Sequence, residues 1–393
     1  MLTCQVITLF AVVVGLGSGS SSPVTYSDRK CGNDLGSLWL DVVLVIDNSR
    51  AVTNIDKVTK SVLNVFGNDT RIGTRNDEPK TTRVGMVLYN QDAKVIANLN
   101  RYQSIVDLNN SLSMSLFNLS SSDESSLLKG LETAENVLDK SLKSGERQNY
   151  KKVFIIYTPV LQGVLTSIPM ADRLKADGVT IITVDVSESK TSSRGLEEVA
   201  TRNYDFKIED EDLTGKIQDA LLQTNCFCPN TWTQLRASHS NRHSYRYGTC
   251  LSLNTLPAVW RAARLSCRNQ WKNAYLANEY DANKHEYVLE MMQNKTTTRQ
   301  PYTYHIGLSY SAGAWYWEQP AGQPLKKVEW NNWNTGFPTV SSTLTVGMNV
   351  QTRITEGVVE TKWQNTAPMG AAEYYVCEVA TCDTDNYCDT MDY

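Results

Sequence analysis

Asp41-Val-Val-Leu-Val-Ile-Asp-Asn-Ser-Arg-Ala-Val52 is the stretch that decides the fold of the first half of the chain. Val42 to Ile46 is an unbroken apolar run of mostly β-branched residues, which is typical of a strand buried on both faces of a parallel sheet. Asp47 and Ser49 follow at the carboxyl end of this strand, where open α/β sheets bind ligands. Two oxygen-bearing side chains at alternate positions can share one hard cation.

The rest of the first half repeats this strand-then-helix pattern. Further strand-like runs cover residues 82–90, 94–99, 153–157 and 179–186. Apolar residues recur at helical spacing between several of these runs, for example at Leu127, Leu131, Ala134 and Leu138. Strands that alternate with helices predict an α/β doubly wound, mostly parallel sheet.

The N-terminus predicts a secreted protein. Val6 to Leu16 is almost wholly apolar and is followed by small residues, so residues 1–20 are expected to be a signal peptide, although no Lys or Arg precedes the apolar core. The alternative is a membrane anchor, but the apolar run is shorter than the ~20 residues that span a bilayer. We therefore expect an extracellular protein without membrane insertion.

Length and charge narrow the range of partners. The chain has 393 residues, of which 41% are hydrophobic, and this allows two or three domains with real cores. Its formal net charge of −4 argues against nucleic acid or an anionic membrane held by bulk electrostatics.

The cysteines and the glycosylation sequons agree with an extracellular location. Cys4 lies in the leader, and the eight other cysteines are an even number, which favours disulfides in an oxidising compartment. They are Cys31, Cys226, Cys228, Cys250, Cys267, Cys377, Cys382 and Cys388. The sequons, which predict glycosylation, begin at Asn68, Asn109, Asn118 and Asn294.

The character of the sequence changes near Cys226. The segment Cys226-Phe-Cys-Pro-Asn-Thr-Trp232 follows the last predicted helix without a flexible linker, so two closely packed domains are expected. Tryptophan and tyrosine then become frequent, in motifs such as His305-Ile-Gly-Leu308, Ala314-Trp-Tyr-Trp317 and Tyr374-Tyr-Val-Cys-Glu378.

The two halves resemble two known families. The first half is similar to a von Willebrand factor A domain, and the second, α+β in class, is similar to a C-type lectin-like domain. The predicted boundaries are a signal peptide at 1–20, an N-terminal segment at 21–37, the two domains at 38–225 and 226–380, and an acidic Cys-containing tail at 381–393.

The first resemblance implies a metal-ion-dependent adhesion site, but its ligand set is incomplete here. Asp47 and Ser49 match the first two ligands, and Ser125 supplies a hydroxyl where the family has Thr. Ala51 and Pro159 stand where the family has a third oxygen ligand and a second Asp. We expect the site to be degenerate and empty, without a cofactor, although weak Mg²⁺ or Ca²⁺ binding stays open. The alternative role of Asp47 and Ser49 is to cap the next helix and hydrogen-bond its loop.

The second resemblance implies a disulfide pattern and a calcium site. It pairs Cys228 with Cys250 and Cys267 with Cys377. Cys31 and Cys226 bracket the first domain and are expected to pair with each other, which leaves Cys382 and Cys388 as partners. The calcium motifs of the family fall on Phe337-Pro-Thr339 and Trp363-Gln-Asn365. These have lost the carboxylates that calcium prefers, so calcium-independent recognition is expected.

Other candidate features are better explained by surface or core positions. His239 and His243 have zinc-like spacing but lie in a polar segment that predicts a surface. The Arg236 to Tyr247 run could form a small anion-binding face, although a solvated surface is favoured. A set of tryptophans is expected in the core rather than as sugar-stacking platforms: Trp315, Trp317, Trp330, Trp333 and Trp363.

These resemblances imply a secreted, non-catalytic recognition protein of the kind found among nematode C-type lectins. Expected ligands are a glycan or a protein, with microbial surfaces and innate defence suggested by that group. One alternative is a matrix or structural protein that binds host proteins. A lesser alternative is a hydrolase that uses Asp47 as nucleophile, for which no acid/base partner is evident.

Overall fold

The computed structural model describes most of the chain after the predicted leader. The predicted signal peptide (residues 1–20) and the sequon residues Asn68 and Asn118 lie outside the described residues. The described residues are 28–67, 69–74, 77–117, 120–143, 145, 147–159, 163–187, 195–355 and 358–389.

The first domain is built on a six-stranded sheet in the order β3-β2-β1-β4-β5-β6. All neighbouring strands run parallel except β2 and β3, which pair antiparallel. The strands are β1 (Leu40–Asp47), β2 (Arg83–Tyr89), β3 (Ala93–Ala97), β4 (Lys151–Thr158), β5 (Val179–Asp185) and β6 (Asp205–Lys207).

Alternate residues of β1 face two separate helical layers, as expected for a strand buried on both sides. Val42 and Leu44 pack with α1, α2 and α6, whereas Val43 and Val45 pack with α3, α4 and α5. This confirms the predicted α/β doubly wound sheet. The helices are α1 (Ile55–Phe66), α2 (Ile105–Leu116), α3 (Leu127–Lys143), α4 (Val164–Ala176), α5 (Leu196–Val199) and α6 (Leu213–Thr224).

The second domain combines two helices with mostly antiparallel strands, which confirms the predicted α+β class. The helices are α7 (Trp260–Gln270) and α8 (Ala282–Gln293). The strands are β7 (Thr233–Arg236), β8 (Arg246–Asn254), β9 (Ala258–Val259), β10 (Tyr275–Leu276), β11 (Thr303–Ser311), β12 (Ala314–Trp317), β13 (Lys326–Lys327), β14 (Val346–Thr355), β15 (Val358–Thr366), β16 (Ala371–Ala372) and β17 (Tyr374–Ala380).

Four disulfides fasten this arrangement, with the pairing given above. Cys267–Cys377 joins α7 to β17, and nearly all residues of β17 are buried in the second domain. The others are Cys31–Cys226, Cys228–Cys250 and Cys382–Cys388.

The domains meet at the amino ends of the first domain's strands, opposite Asp47. Trp39 precedes β1, is fully buried and donates its indole N–H to the carbonyl of Asp383 at 3.0 Å. Tyr150, Phe227 and Tyr387 surround it, with ring centroids 5.0–5.4 Å from the indole. The cysteine-containing tail thus packs against both domains.

The N-terminal segment crosses the same junction. Arg29 pairs with Asp383 through both terminal nitrogens, at 2.5 and 2.8 Å. Lys284, buried in α8, binds Asp28 at 2.5 Å and Glu378 at 2.7 Å. Segments before the first domain and after the second are therefore tied to the same surface.

Candidate functional site

The carboxyl ends of the first sheet bring the three predicted site residues together. The backbone N–H of Ser49 donates to Asp47 Oδ1 at 2.8 Å, and the hydroxyl of Ser125 donates to Asp47 Oδ2 at 2.5 Å. Helix α1 begins only at Ile55, with Asn54 at its N-cap. Asp47 and Ser49 therefore organise the loop and do not cap the helix, so that part of the alternative was wrong.

A fourth oxygen, which the sequence analysis missed, comes from Thr158 at the end of β4. Its buried hydroxyl lies close enough to Asp47 to lower the carboxyl pKa, although it donates to the carbonyl of Pro159 at 3.1 Å. The sequence held one signal for this oxygen: Thr158 ends an apolar strand, as Asp47 does on the neighbouring strand.

Burial dominates the electrostatics of this site. Asp47 is fully buried, and burial raises the pKa of its carboxyl although the surrounding hydroxyls and the Ser49 amide act to lower it. Burial and the charge of Asp47 also raise the pKa of the Tyr89 hydroxyl. The hydroxyls of Ser49 and Tyr89 are buried here without a hydrogen-bond partner. The site is a polar pocket with unused hydrogen-bonding capacity.

The donor set does not fit a hard divalent cation. Mg²⁺ and Ca²⁺ prefer about six oxygens with carboxylate charge among them. Among the five ligand positions of the family, Asp47 supplies the single carboxylate, and neither Ala51 nor Pro159 adds a side-chain oxygen. In the described part of the chain, no three His, Cys, Asp or Glu side chains group as metal ligands.

The second candidate site lies in the long loop between β13 and β14. The Phe337–Pro338 peptide is cis. The Asn365 amide accepts a hydrogen bond from the backbone N–H of Thr339 at 2.7 Å and donates to the carbonyls of Thr339 and Leu344 at 2.8 and 2.9 Å. These bonds join the two degenerate calcium motifs directly, so an amide links the segments that carboxylates and calcium would link.

Comparison with known proteins identifies both domains. Residues 41–220 match the model of the von Willebrand factor type A domain, and residues 257–379 match the model of the C-type lectin domain. The chain is a von Willebrand factor A domain followed by a C-type lectin domain. Both predicted resemblances are confirmed, and the exact boundaries stay predictions.

A curated relative and several solved structures are similar to this chain. C-type lectin domain-containing protein 160 of Caenorhabditis elegans is 26% identical over 391 residues, covering 92% of this chain and 56% of that protein. The chain thus spans about half the length of this relative.

Among solved structures, proximal thread matrix protein 1 from the mussel byssus is 18% identical with a TM-score of 0.38, covering 49% of this chain and 46% of that one. The C-type lectin CEL-I from Cucumaria echinata is 21% identical with a TM-score of 0.29, covering 38% and 96%. Likeness at this level says nothing about what the chain binds.

A buried carboxylate joins helix α8 to strands β14 and β15 of the C-type lectin domain. Glu279 is fully buried and accepts hydrogen bonds from Trp363 Nε1 at 2.7 Å and Asn349 Nδ2 at 3.0 Å. His285 Nδ1 lies 3.0 Å from it. Burial opposes the charge of Glu279, yet these partners, His285 foremost, lower its pKa; Glu279 in turn raises the pKa of His285 against the effect of burial.

The tryptophans of the C-type lectin domain belong to its core, as predicted. Trp317 and Trp363 are fully buried, and three others pack against them at the edge of the same cluster. They are Trp315, Trp330 and Trp333.

The remaining predicted features lie on the surface. Asn109 on α2 and Asn294 after α8 are exposed, and their glycosylation stays a prediction. His243 is exposed and His239 is partly exposed. No helix among the described residues is long and apolar enough to cross a membrane.

Proposed function

We propose that this protein is a secreted, non-catalytic recognition protein that binds glycans on microbial surfaces without a metal ion. Its domains support carbohydrate or protein recognition, and with four disulfides they indicate an extracellular protein. The observation that carries the metal-free part is the Asn365 amide, which already satisfies the loop that calcium would hold.

The geometry at Asp47 argues against hydrolysis. A nucleophilic carboxylate must reach its substrate and work beside an acid/base partner. Asp47 is fully buried, and both of its oxygens accept hydrogen bonds from its own loops. Its neighbours are hydroxyls and an amide, none of which titrates near neutral pH.

A glycan array with and without chelator tests this proposal. We expect the intact protein to bind microbial glycans equally in EDTA and in Ca²⁺ plus Mg²⁺, because neither domain offers a complete ligand set. A calcium-dependent C-type lectin serves as the control that must lose binding in EDTA. Loss of binding by this protein in EDTA would contradict the metal-free proposal, and silence on every glycan would contradict glycan recognition.

A second candidate function is attachment to a host protein through the von Willebrand factor A domain. Met114 and Phe117, on and just after α2, are 82% and 83% exposed, and exposed apolar side chains close together mark protein contacts. A pull-down from host secretions with wild type and with Met114→Ser/Phe117→Ser tests it. Equal capture by both proteins would remove this candidate.

A further inference from the structure

A cleft of about 520 Å³ lies where the two domains meet. Lys151, Thr201 and Tyr204 line it from the von Willebrand factor A domain, and Arg236 and Arg246 line it from the C-type lectin domain. Arg246 donates to the Tyr204 hydroxyl across the cleft at 3.3 Å. Neither the Asp47 pocket nor the Asn365 loop contributes to it.

The charged side chains in this cleft all have the same sign. Lys151, Arg236 and Arg246 are each partly buried, and none of the described residues that line the cleft is acidic. Glu197 and Glu198 line a neighbouring depression instead. A cleft with cations and no carboxylate focuses a positive potential that attracts anions.

The described partners of these cations carry no formal negative charge. Arg236 donates to the backbone carbonyl of Arg242, and Arg246 donates to a hydroxyl. The ammonium group of Lys151 lies 4.2 Å from the centroid of the Phe227 ring. Burial and the nearby charges of Arg246 and Arg242 lower the pKa of Arg236, which shows that like charges crowd here.

The cleft also offers what a sugar ring needs. Trp232 and Tyr204 are partly exposed aromatic side chains on opposite domains, and Thr201 and Thr233 add hydroxyls. Its volume falls within the range of roughly 300–1,000 Å³ that is usual for small-molecule sites. A single inorganic anion would leave most of it empty.

We propose that this interdomain cleft binds an acidic glycan, an oligosaccharide whose sulfate or carboxylate groups pair with Arg236, Arg246 and Lys151. Guanidinium groups suit this role because their fork of donors matches planar carboxylates and sulfate oxygens. The cleft shares no residue with either predicted metal site. The result of the chelator experiment therefore does not decide whether this proposal is correct.

Calorimetric titration of the full chain with a heparin-derived tetrasaccharide tests the proposal. We expect Arg236→Gln/Arg246→Gln to weaken binding about tenfold or more, and Lys151→Gln to weaken it severalfold from the other domain. Binding should also weaken as NaCl rises, since salt screens charges that are partly exposed. Arg101→Gln and Arg299→Gln, exposed arginines in the first and second domains, are the matched controls.

The outcomes distinguish binding of a sulfated glycan from binding of a free inorganic anion. A fully desulfated tetrasaccharide that binds equally well would overturn the proposal, as would cleft variants that bind like wild type. Inorganic sulfate that competes at equal concentration would show an ion site and not a glycan site. Lack of binding by wild type to the sulfated tetrasaccharide also overturns it. An unchanged near-ultraviolet spectrum verifies that each variant is folded.

Discussion

The two predicted metal sites differ in what stands at the ligand positions that lack a carboxylate. At the strand ends of the von Willebrand factor A domain, ligands are missing and little replaces them: Asp47 remains, and the hydroxyls of Ser49 and Tyr89 are buried without a partner. In the C-type lectin loop, Asn365 makes three hydrogen bonds between the former ligand segments. At the first site no side chain replaces the missing ligands, whereas at the second an amide links the segments that carry them.

The surroundings of each site explain the difference. The strand ends are held by a packed sheet, so their geometry survives without a ligand. The loop between β13 and β14 runs from residue 328 to 345 without a strand of its own. Ordering a long irregular loop costs conformational entropy. Here the hydrogen bonds of the Asn365 amide help to offset that cost.

The largest expected effect separates two buried carboxylates. Glu279→Gln removes the partner that stabilises His285 and should lower the free energy of unfolding of the C-type lectin domain by roughly 3 kcal/mol or more. Asp47→Asn should cost about 1 kcal/mol or less, because burial already disfavours the Asp47 charge. Urea unfolding, followed by tryptophan fluorescence, measures both. Equal losses of unfolding free energy in the two variants would contradict the inferred difference between Glu279 and Asp47.

Removing the amide link should have the next largest effect. Asn365→Ala loses three hydrogen bonds and leaves backbone groups of Thr339 and Leu344 without their partner, which costs about 2–4 kcal/mol. Hydrogen exchange at residues 337–345 should rise before exchange in β15. Asn365→Asp is the matched variant: it loses the two donated bonds and should gain no calcium affinity, since Phe337 and Thr339 supply no carboxylate. Calcium binding by Asn365→Asp would show that the loop site is closer to intact than we infer.

Supplying the missing ligands of the Asp47 site should produce measurable metal affinity, which we expect the wild-type donor set not to provide. Ala51→Ser/Pro159→Asp supplies the missing oxygens and a second carboxylate beside Asp47. We expect dissociation constants on the order of 10⁻⁴–10⁻³ M for Mg²⁺ or Ca²⁺ by calorimetry. Adding Asp47→Asn to this double variant should abolish the heat of binding. Comparable heat from the unaltered protein would mean that the hydroxyls suffice.

The smallest effect concerns the pH dependence of stability. The contributions of the carboxylates Glu279 and Asp47 should change in opposite directions as the pH rises. The pKa of Glu279 is lowered from 4.5, so its contribution to stability is present above about pH 4.5 and is lost as the pH falls through the folded-state pKa. The pKa of His285 is raised from 6.5, so its contribution is present below that value and is lost as the pH rises. The pKa of Asp47 is raised from 3.8, so its contribution declines as the pH rises above 3.8.

Unfolding free energies from pH 3.5 to 8 check this. The difference between wild type and Glu279→Gln should be largest between pH 4.5 and 6.5, where both members of the pair are charged. The difference between wild type and Asp47→Asn should instead favour wild type most at the acid end. Parallel curves for the two variants would show that the carboxylates have similar environments after all.

Local sequence patterns predicted the sheet because its strands are unusually uniform. Val42 to Ile46 is apolar on both faces, which only a covered parallel strand needs, and the later strands repeat the pattern. The contact of Asp47 with Ser125 was predictable only through a family resemblance, since 78 residues separate them.

The other determinants depend on tertiary contacts that no local pattern records. Glu279 follows a two-residue strand in a polar segment, and its partners come from α8, β11, β14 and β15. Trp39 looks like the start of β1, yet it is the centre of the domain junction. Arg236 and Arg246 fit a solvated surface by sequence, because the wall that faces them belongs to the other domain.

The Cys31–Cys226 disulfide sets how the protein carries mechanical load. It spans 195 positions of sequence and brackets the whole von Willebrand factor A domain. A force applied at residue 28 and at residue 389 passes through this bond directly into the C-type lectin domain. The bracketed domain is therefore bypassed by tension and cannot be extended while the disulfide is intact. Under reducing conditions, the same pull would reach β1 and stretch the domain.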